Sequence, residues 1–329
     1  MLEVLQERRF PATEVVPFAT ERSAGRKLPF AGGEIEVRTL SEEAIRGFDI
    51  AIFSAGGSTS GEWAPRFAAD GCVVVDNSSR WRMEDDVPLV VSEVNPDALA
   101  EHRGIVANPN CSTMQMVVAL KPIDTVAAIE RLVITTMQSV SGTGQAATDA
   151  LRAETEAALA DAEAPAATVY PHQIAFNVLP QAGNFPEGSD YTDEELKLVN
   201  ETRKILGNPD IAVSATCSRV PVYTGHSESV NVQTREPLSA DDCRALLSRA
   251  PGITVLDDPA RAIYPLALDA AGRDDVLVGR IRQDPSHPRA LNLFVVADNL
   301  RKGAATNAVQ IAELLVERGL VRARPQAAA

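Results

Sequence analysis

The stretch I-V-A-N-P-N-C-S-T-M-Q-M-V-V-A-L, residues 105–120, marks the point at which the chain changes its character. A short apolar run typical of a strand meets a proline break, and a Met/Val/Leu-rich segment without glycine or proline begins at Cys111. These patterns predict a strand, a break and a helix that starts at the cysteine. The sequences before and after this stretch have different periodicities, and each predicts a different kind of sheet.

Before Cys111, short apolar runs alternate with helical segments. The runs are nearly continuous in Val, Ile and Ala, as in parallel strands that are buried on both faces. They lie at residues 14–18, 49–55, 72–79, 88–91 and 104–108. Helical patterns occupy residues 1–10, 62–69 and 96–101. This alternation predicts an α/β fold with a doubly wound, Rossmann-like sheet.

After Cys111, the apolar runs become longer and alternate with polar residues. Predicted strands lie at residues 130–141, 227–236, 275–284 and 290–299, and predicted helices at residues 148–164, 192–206 and 301–319. Alternation of this kind is typical of an antiparallel sheet with one face packed on helices. We therefore expect an α+β domain with a mainly antiparallel sheet, followed by a frayed tail at residues 322–329.

The composition excludes several classes of protein. The chain has 329 residues, of which 45% are hydrophobic, and its formal net charge is −14, which argues against a nucleic-acid partner. No apolar run approaches the length of a membrane span. The four cysteines are scattered along the chain, which predicts reduced thiols in the cytoplasm. Their spacing and the presence of only four histidines argue against a metal site.

A possible nucleophile and a possible acid–base group stand out. A thiol at a helix start faces unpaired N–H groups and the positive end of the helix dipole, and both favour the nucleophilic thiolate of Cys111. The segment S-R-V-P-V-Y-T-G-H-S-E-S-V, residues 218–230, carries Arg219, suited to a carboxylate, and His226, suited to proton transfer. A cysteine with a histidine suggests thiol catalysis. Buried structural roles for the cysteine and the histidine remain the alternatives.

Three loops have the composition of anion sites. In S-A-G-G-S-T-S, residues 54–60, Gly56 and Gly57 allow a ligand to approach the backbone at a helix start, although an ordinary tight turn has the same pattern. In A-T-E-R-S-A-G-R-K, residues 19–27, the basic side chains favour the 2′-phosphate of NADP over the hydroxyl of NAD, with a solvated loop as the alternative. Residues 76–83, D-N-S-S-R-W-R-M, suit a phosphate or carboxylate, or form a surface turn.

Several segments together resemble the aspartate-β-semialdehyde dehydrogenase family. They include A-N-P-N-C-S-T, T-T-M-Q-S-V-S-G-T-G, Y-P-H-Q-I-A-F-N-V-L-P-Q-A-G and E-E-L-K-L-V-N-E-T-R-K-I-L-G, and they cover essentially the whole chain in the expected order. The resemblance implies an NADP-binding domain at residues 1–110 that the C-terminal helix, residues 300–329, completes. It also implies a catalytic and dimerisation domain at residues 111–299, and a cytoplasmic homodimer.

The resemblance also implies roles for individual residues. The catalytic group comprises the nucleophile Cys111, the acid–base His226 and Gln138, which positions the acyl intermediate. The substrate and phosphate pocket comprises Arg219, which holds the α-carboxylate, with Glu194, Lys197, Arg82 and Asn110. The cofactor contacts are Arg22, Ser23, Ser54, Gly56, Gly57, Gly142 and Asn299. No metal is implied.

The reaction implied is the NADPH-dependent reductive dephosphorylation of L-aspartyl-4-phosphate to L-aspartate-4-semialdehyde, which leads to lysine through diaminopimelate and to methionine and threonine. One alternative is N-acetyl-γ-glutamyl-phosphate reductase, whose acetylated amine could not pair with Glu194. Family members begin with a strand and a turn like G-A-T-G-x-V-G, whereas this sequence begins at the predicted helix. We therefore expect an incomplete N-terminal domain, and a non-catalytic truncated homologue is the second alternative.

Overall fold

The computed structural model describes residues 1–163 and 165–321, and for Arg22 it describes the backbone alone. Internal contacts divide the chain into two compact units: Met1–Pro109 together with the segment that begins at Ala305, and Asn110–Ala304. The predicted tail at residues 322–329 and Ala164 of the predicted helix 148–164 fall outside the described residues. Among the residues described, no helix is long and apolar enough to cross a membrane.

The helices are, in chain order, α1 (Leu2–Glu7), α2 (Gly57–Ala69), α3 (Cys111–Ala127), α4 (Gln145–Leu159), α5 (Asp193–Leu206), α6 (Ala240–Leu247), α7 (Ala267–Ala270) and α8 (Asn307–Glu317). The strands of the first unit are β1 (Phe18–Ala19), β2 (Lys27–Phe30), β3 (Gly33–Glu36), β4 (Arg38–Thr39), β5 (Ile50–Phe53), β6 (Val73–Asp76) and β7 (Ile105–Ala107). Those of the second unit are β8 (Ile129–Gln138), β9 (Ala212–Arg219), β10 (His226–Thr234), β11 (Ile253–Val255), β12 (Val276–Gln283) and β13 (Ala290–Ala297).

The first unit is built on a parallel sheet of order β5-β6-β7 that is covered on both faces. Val73 and Val75 of β6 pack with α8, whereas Val74 between them packs with Phe67 of α2. Two further pairs are present: β1 pairs with β4 in parallel, and β2 with β3 in a hairpin. Burial on both faces explains the continuous apolar runs of the sequence, so the doubly wound prediction is confirmed.

Two predicted strands of this unit are wrong in extent. Residues 88–91 form a single bridge, between Leu89 and Ala107, rather than a strand. The side chain of Asn95 explains this, because its Oδ1 accepts the N–H of Val91 and its Nδ2 donates to the carbonyl of Leu89, groups that a neighbouring strand would otherwise bind. The run at residues 14–18 forms a strand only at Phe18–Ala19.

The second unit carries a six-stranded sheet of order β11-β12-β13-β10-β8-β9. Its three central pairings are antiparallel and its two outer pairings are parallel. Helices α3, α5 and α6 contact the strands, and the burial of β10 alternates along the strand, as the predicted period requires. The predicted strands β8, β10, β12 and β13 are therefore confirmed, while β9 and β11 were not predicted.

The end of the second unit is not a regular helix. The helix predicted at residues 301–319 does begin at residue 301, but Arg301–Thr306 is π-helical and α8 continues it from Asn307 to Glu317. In this stretch the N–H of Gly303 donates to the carbonyl of Asp298, five residues earlier. A π-turn is wider than an α-turn and is frequent at functional sites.

Candidate active site

Four strand ends bring the predicted catalytic residues of the second unit to one edge of its sheet. Gln138 ends β8, Arg219 ends β9, and these two residues are register partners in the parallel pair. His226 begins β10, where it is paired with Ala297 of β13, and Asn299 follows that strand. Residues far apart in sequence therefore meet because their strands begin or end together.

Cys111 is the first residue of α3, as predicted, and Asn110 is its N-cap. The Asn110 Oδ1 accepts the N–H groups of Ser112 and Thr113 at 2.9 and 3.3 Å. The N–H of Asn110 donates to Oε2 of the buried Glu201 at 2.7 Å. These bonds fix the start of the helix, so the partly exposed thiol stands at its N-terminus.

Gly303, in the π-helical stretch, permits the close packing around the cysteine. A Cβ atom on Gly303 would lie 2.7 Å from the Cβ of Cys111, closer than such atoms ever approach. Sequence reasoning missed this residue. The available signal was a glycine inside an otherwise helical pattern, which costs helix stability and often has a packing reason.

His226 is fully buried and its protonation can be assigned from its contacts. The backbone N–H of Ser139 donates to Nδ1 at 3.1 Å, so Nδ1 is an acceptor and the neutral ring carries its proton on Nε2. That Nε2 has no hydrogen-bond partner among the described residues. Burial, with a smaller contribution from the charge of Arg219, lowers the pKa of His226 to about 3. The imidazole is therefore neutral near pH 7 and has one N–H to donate.

Arg219 lies beside the histidine, and Gly142 makes room for both. A Cβ on Gly142 would lie 3.1 Å from Cε1 and 3.2 Å from Nε2 of His226, and 3.3 Å from Nη1 of Arg219. The guanidinium is buried, donates from Nη1 to the carbonyl of Ser139 at 2.8 Å and faces the ring of Tyr170 at 5.9 Å. Its Nε has no partner within the described part of the chain, so it retains a donor for an anion.

Glu194 of α5 is the acidic group of the site. Its Oε1 accepts from Asn110 Nδ2 at 2.8 Å and from Gln138 Nε2 at 3.2 Å. Its Oε2 accepts from Lys197 Nζ at 3.2 Å, and Asp193 binds the same ammonium at 2.8 Å. Burial, the largest effect, lowers the pKa of Lys197, but the charges of Glu194 and Asp193 together raise it above its ordinary value. The ammonium of Lys197 is thus bound by two acidic side chains.

Asn299 fixes the two loops on either side of the histidine. Its Oδ1 accepts from Ser139 Oγ and from the N–H of Gly225, each at 3.0 Å. Its Nδ2 donates to Ser141 Oγ at 3.0 Å. Asn299, which was predicted to contact the cofactor, thus holds the two loops beside His226 in this unit.

One helix face connects the cysteine to the histidine. Gln115 lies four residues after Cys111, on the same face of α3, and donates from Nε2 to the main-chain carbonyl of His226 at 3.3 Å. The second unit therefore brings together nine of the predicted residues, namely Cys111, His226, Gln138, Arg219, Glu194, Lys197, Asn110, Gly142 and Asn299. A thiol, a neutral N–H donor, a guanidinium and a carboxylate are the groups needed for acyl transfer on an amino acid.

The remaining predicted residues belong to the first unit. Ser54 is exposed and follows β5, and Gly56 is the N-cap of α2 with φ +82°, a backbone conformation that favours glycine. Among the described residues, no side chain caps this helix, and apart from the adjoining residues no atom lies within 4 Å of the place that a Cβ on Gly56 would take. A Cβ on Gly57 would meet only the Arg80 side chain, at 3.9 Å. The turn is open to an anionic ligand.

Two other loops of this unit carry predicted anion contacts. Ser23 ends the short 3₁₀-helix Glu21–Ser23, and the side chain of Arg22 lies outside the described residues. Arg82 is buried and donates from Nη2 to the carbonyl of Asn77 at 2.7 Å. The residues that the structure describes contain no cluster of three or more His, Cys, Asp or Glu side chains that could hold a metal ion.

Comparison with known proteins identifies the family. Residues 1–102 match the family model of the semialdehyde dehydrogenase NAD binding domain, and residues 120–302 match that of the semialdehyde dehydrogenase dimerisation domain. The aspartate-semialdehyde dehydrogenase of Aquifex aeolicus (strain VF5) is 55% identical over 323 residues, which cover 97% of this chain and 95% of that protein. The chain belongs to the aspartate-semialdehyde dehydrogenase family.

Solved structures of aspartate-semialdehyde dehydrogenases share this fold. Aspartate semialdehyde dehydrogenase II from Vibrio cholerae, complexed with ASA, superposes with a TM-score of 0.91 at 49% identity, covering 96% of this chain and 94% of that one. The enzyme from Candida albicans, with NADP, has a TM-score of 0.72 at 26% identity, covering 97% and 95%. The predicted family and the predicted fold class are confirmed.

Proposed function

We propose that this chain catalyses the reduction of L-aspartyl-4-phosphate by NADPH and H⁺ to L-aspartate-4-semialdehyde, NADP⁺ and phosphate. The observation that carries the proposal is the meeting of a helix-start thiol, a neutral imidazole with a free N–H and a buried guanidinium in one unit. Relatives about half identical to this chain bear the corresponding name, which supports this reaction and not the alternative of N-acetyl-γ-glutamyl-phosphate reductase.

In the first half of the reaction Cys111 is the nucleophile. Its thiolate attacks C4 of the acyl phosphate, the C–O bond to phosphate breaks, and a thioester forms on Sγ. The N-terminus of α3 stabilises the thiolate before attack. Lys197 is a cation for the departing phosphate, and a similar role for Arg82 stays a prediction.

In the second half of the reaction, His226 stabilises the negative charge that develops on the oxygen of C4. Bound NADPH supplies the hydride that converts the thioester carbonyl into a tetrahedral thiohemiacetal on Cys111. The Nε2–H of the neutral imidazole donates to that oxygen as its negative charge develops. When the oxyanion re-forms the C=O bond, the C–S bond breaks and the electron pair goes to sulfur, which releases the aldehyde and the thiolate of Cys111; the Nε2–H of His226 stabilises the oxygen until that collapse.

The substrate's amino-acid end is bound by groups of opposite charge. Arg219 keeps a free donor for the α-carboxylate, and a guanidinium suits a carboxylate because it can donate two parallel hydrogen bonds. Glu194 is suited to the free ammonium. An N-acetylated amine has no charge for Glu194, and this is the chemical basis for the choice between the two substrates.

We infer that the cofactor is NADP rather than NAD. A nicotinamide dinucleotide agrees with the NAD binding family model and with the Candida albicans structure. The open glycine turn at Gly56 suits a phosphate, and Ser23, Arg26 and Lys27 suit a 2′-phosphate. Gly57 and Ser54 border the same turn. Titration with NADPH and NADH, followed by calorimetry, tests this: equal affinities would contradict the choice of NADP.

We also infer that the protein acts as a cytoplasmic homodimer, with catalysis in the second unit and cofactor binding through the first. The description of residues 120–302 as a dimerisation domain supports the dimer. The four free cysteines suit a reducing compartment.

The substrate assay tests the proposal directly. The assay follows the proposed reaction in reverse. Aspartate semialdehyde, phosphate and NADP⁺ should give aspartyl phosphate and NADPH, and the absorbance of NADPH measures the rate. N-acetylglutamate semialdehyde should react at least about a hundredfold less well in kcat/KM, because the site's buried polar groups would be left unpaired. Equal rates with both aldehydes, or no rate with either, would contradict the proposed function.

A further inference from the structure

A second carboxyl group lies beneath the active site, and the proposed mechanism does not use it. Glu228 is two residues after His226 on β10, on the same buried face of the strand, and its side chain is completely buried. Neither of its carboxyl oxygens has a hydrogen-bond partner of ordinary geometry among the residues described. A buried polar group without a partner is costly and therefore needs an explanation.

No cationic side chain in the described part of the chain is hydrogen-bonded to Glu228. Its register partners are Thr136 on β8 and Val295 on β13. The titratable groups near it come from its own strand, from β9 and from α5, namely His226, Cys217 and Glu194. From α3 it is faced by the uncharged Gln115. An ionised Glu228 would thus be desolvated next to another acid.

These surroundings determine the protonation of Glu228. Burial raises the pKa of Glu228 well above its ordinary value of 4.5, the neighbouring Gln115 acts in the opposite direction, and the charge of Glu194 raises it further. Glu194 in turn accepts from Lys197 Nζ at 3.2 Å. Burial and the neighbouring acid therefore both favour the protonated form of Glu228.

Gln115 provides the connection to the catalytic histidine. Its Nε2 donates to the main-chain carbonyl of His226, while its Oε1 is buried and has no donor among the described residues. Gln115 is also the side chain of α3 that interacts with Glu228: its amide acts on the carboxyl group as a hydrogen-bond donor, an effect that by itself lowers the pKa of Glu228. The same side chain therefore links Glu228 to the backbone of His226.

We propose that Glu228 is a positioning residue that acts as a neutral acid: its buried carboxyl group holds the side-chain amide of Gln115 by a hydrogen bond, and Gln115 holds the backbone of His226 so that the Nε2–H faces the reacting oxygen. The proposal rests on the proposed function, because it assigns His226 its role in that reaction. In this arrangement Glu228 does not contact the substrate, but it helps to fix the catalytic side chain in its productive orientation.

Two variants separate positioning from a merely structural role. Glu228→Leu should remain folded, because an apolar side chain of similar size suits a buried site, but kcat should fall about tenfold while KM changes less than about twofold. Glu228→Gln, which keeps a neutral hydrogen-bonding end, should recover most of that loss. A Leu variant with wild-type kcat, or a Gln variant as slow as the Leu variant, would overturn the proposal.

A double-variant cycle tests the route through Gln115. Gln115→Leu should lower kcat by a factor similar to that of Glu228→Leu, and the double variant should be no slower than either single one, because both changes break one chain of contacts. Independent, multiplicative losses would show that Glu228 does not act through Gln115 and would overturn this part of the proposal.

The pH dependence of stability tests the neutral state without any activity measurement. A folded-state pKa above 4.5 means that the contribution of Glu228 is fully present below that pH and is lost as the pH rises towards the folded-state value. Glu228→Gln has no proton to lose, so its Tm should exceed that of the wild type by a margin that grows from pH 5 to pH 8. An infrared difference spectrum of the two proteins at pH 7 should show the C=O band of a protonated carboxyl.

Other outcomes overturn the proposal in distinguishable ways. A constant Tm difference across this pH range, together with a carboxylate band, would show that Glu228 is ionised and would refute the neutral acid. If the wild type lacked activity with both aldehydes, the proposed function would fail, while the Tm and infrared results would still report on the state of Glu228.

Discussion

At the scale of single residues, the environment of each cysteine decides which of the four thiols can be a nucleophile. Cys72, Cys217 and Cys243 are completely buried, and burial raises the pKa of Cys217 strongly and that of Cys243 to about 12. Such thiols are inert near neutral pH. Cys111 alone of the four is partly exposed, and it stands at a helix N-terminus.

Cys111→Ser should therefore abolish turnover and leave the fold intact. A hydroxyl is a far weaker nucleophile than a thiolate, so we expect kcat to fall at least about a thousandfold with an unchanged circular dichroism spectrum. The matched control is Cys243→Ala, which removes a buried thiol in α6 and should keep kcat within about twofold. A serine variant with more than about a tenth of the wild-type kcat would contradict the assignment of the nucleophile.

Gly303→Ala tests how closely the nucleophile is packed. The added Cβ would lie 2.7 Å from the Cβ of Cys111, which is part of a fixed helix start and cannot move away cheaply. We expect kcat to fall at least about tenfold and Tm to fall by several degrees, since overpacking forces the backbone to shift. Gly33→Ala is the control, because its Cβ would meet nothing closer than 3.8 Å and should leave both quantities unchanged. Wild-type kcat in the Gly303 variant would show that the π-helical stretch can shift to accommodate the added methyl group.

At the scale of elements, the helix caps hold the site together. Asn110→Ala removes the N-cap of α3 and the bond to Glu194, so we expect a loss of about 1–2 kcal/mol in the free energy of unfolding and a fall in kcat. Ser239→Ala removes the N-cap of α6, which accepts the N–H of Asp242 at 3.1 Å, and should lower stability by a similar amount with kcat unchanged. Denaturant unfolding and steady-state kinetics check both. If the two variants had the same kcat, the cap of α3 would be purely structural.

The sequence predicts best those strands in which the buried residues follow a regular pattern. Strand β10 is buried on alternate residues, and β6 is buried at every residue, so their patterns can be read directly. Residues 88–91 are just as apolar and buried, yet Asn95 takes their backbone hydrogen bonds. A local side-chain bond of this kind has no periodic signature, and the π-turn at Gly303 has none either.

The residues of the site also fall into two groups, those that the sequence predicts and those that it does not. Cys111 and His226 are predictable because their chemistry is rare and their local contexts are distinctive. Glu201 is not, because its carboxylate acts on the N–H of Asn110, 91 residues away in sequence. Glu228 looks like any polar residue of a half-exposed strand, and only the packing of α3 on that strand shows that it is buried. Supporting residues become visible only in three dimensions.

At the scale of the whole molecule, net charge does not decide which ligands bind. The chain carries a formal charge of −14, and the proposed substrate and cofactor are themselves anions. The buried Arg219 and the partly buried Lys197 provide positive charge locally, where low dielectric strengthens their effect. Repulsion at long range is screened within about 8 Å at physiological salt, so the local charges prevail at the site.

One segment of the second unit is suited to contact another copy of the chain. Large apolar side chains are exposed at Phe176, Val178, Phe185 and Tyr191, and clustered exposure of this kind is typical of protein interfaces. Phe176 has φ +57°, a strained conformation for a bulky residue, which persists where the surroundings enforce it.

The loop that presents these side chains is firmly held. The buried Glu154 of α4 accepts the N–H groups of Ile174 and Ala175 at 2.8 and 2.9 Å, and Ile174 is completely buried. An aromatic side chain on a rigid loop loses little conformational freedom when it binds, so Phe176 has the properties of an interface hot spot.

Phe176→Glu should therefore weaken the proposed homodimer. Burying a carboxylate in an apolar interface is costly, and we expect the dimer dissociation constant to rise at least about a hundredfold, a change of about 2.7 kcal/mol. Met83→Glu is the control, because Met83 is 51% exposed but lies outside the matched dimerisation domain, and it should leave the dimer intact. Sedimentation velocity over a range of protein concentrations measures both. A Phe176 variant that dissociates no more readily than the control would show that this loop does not contribute to the interface.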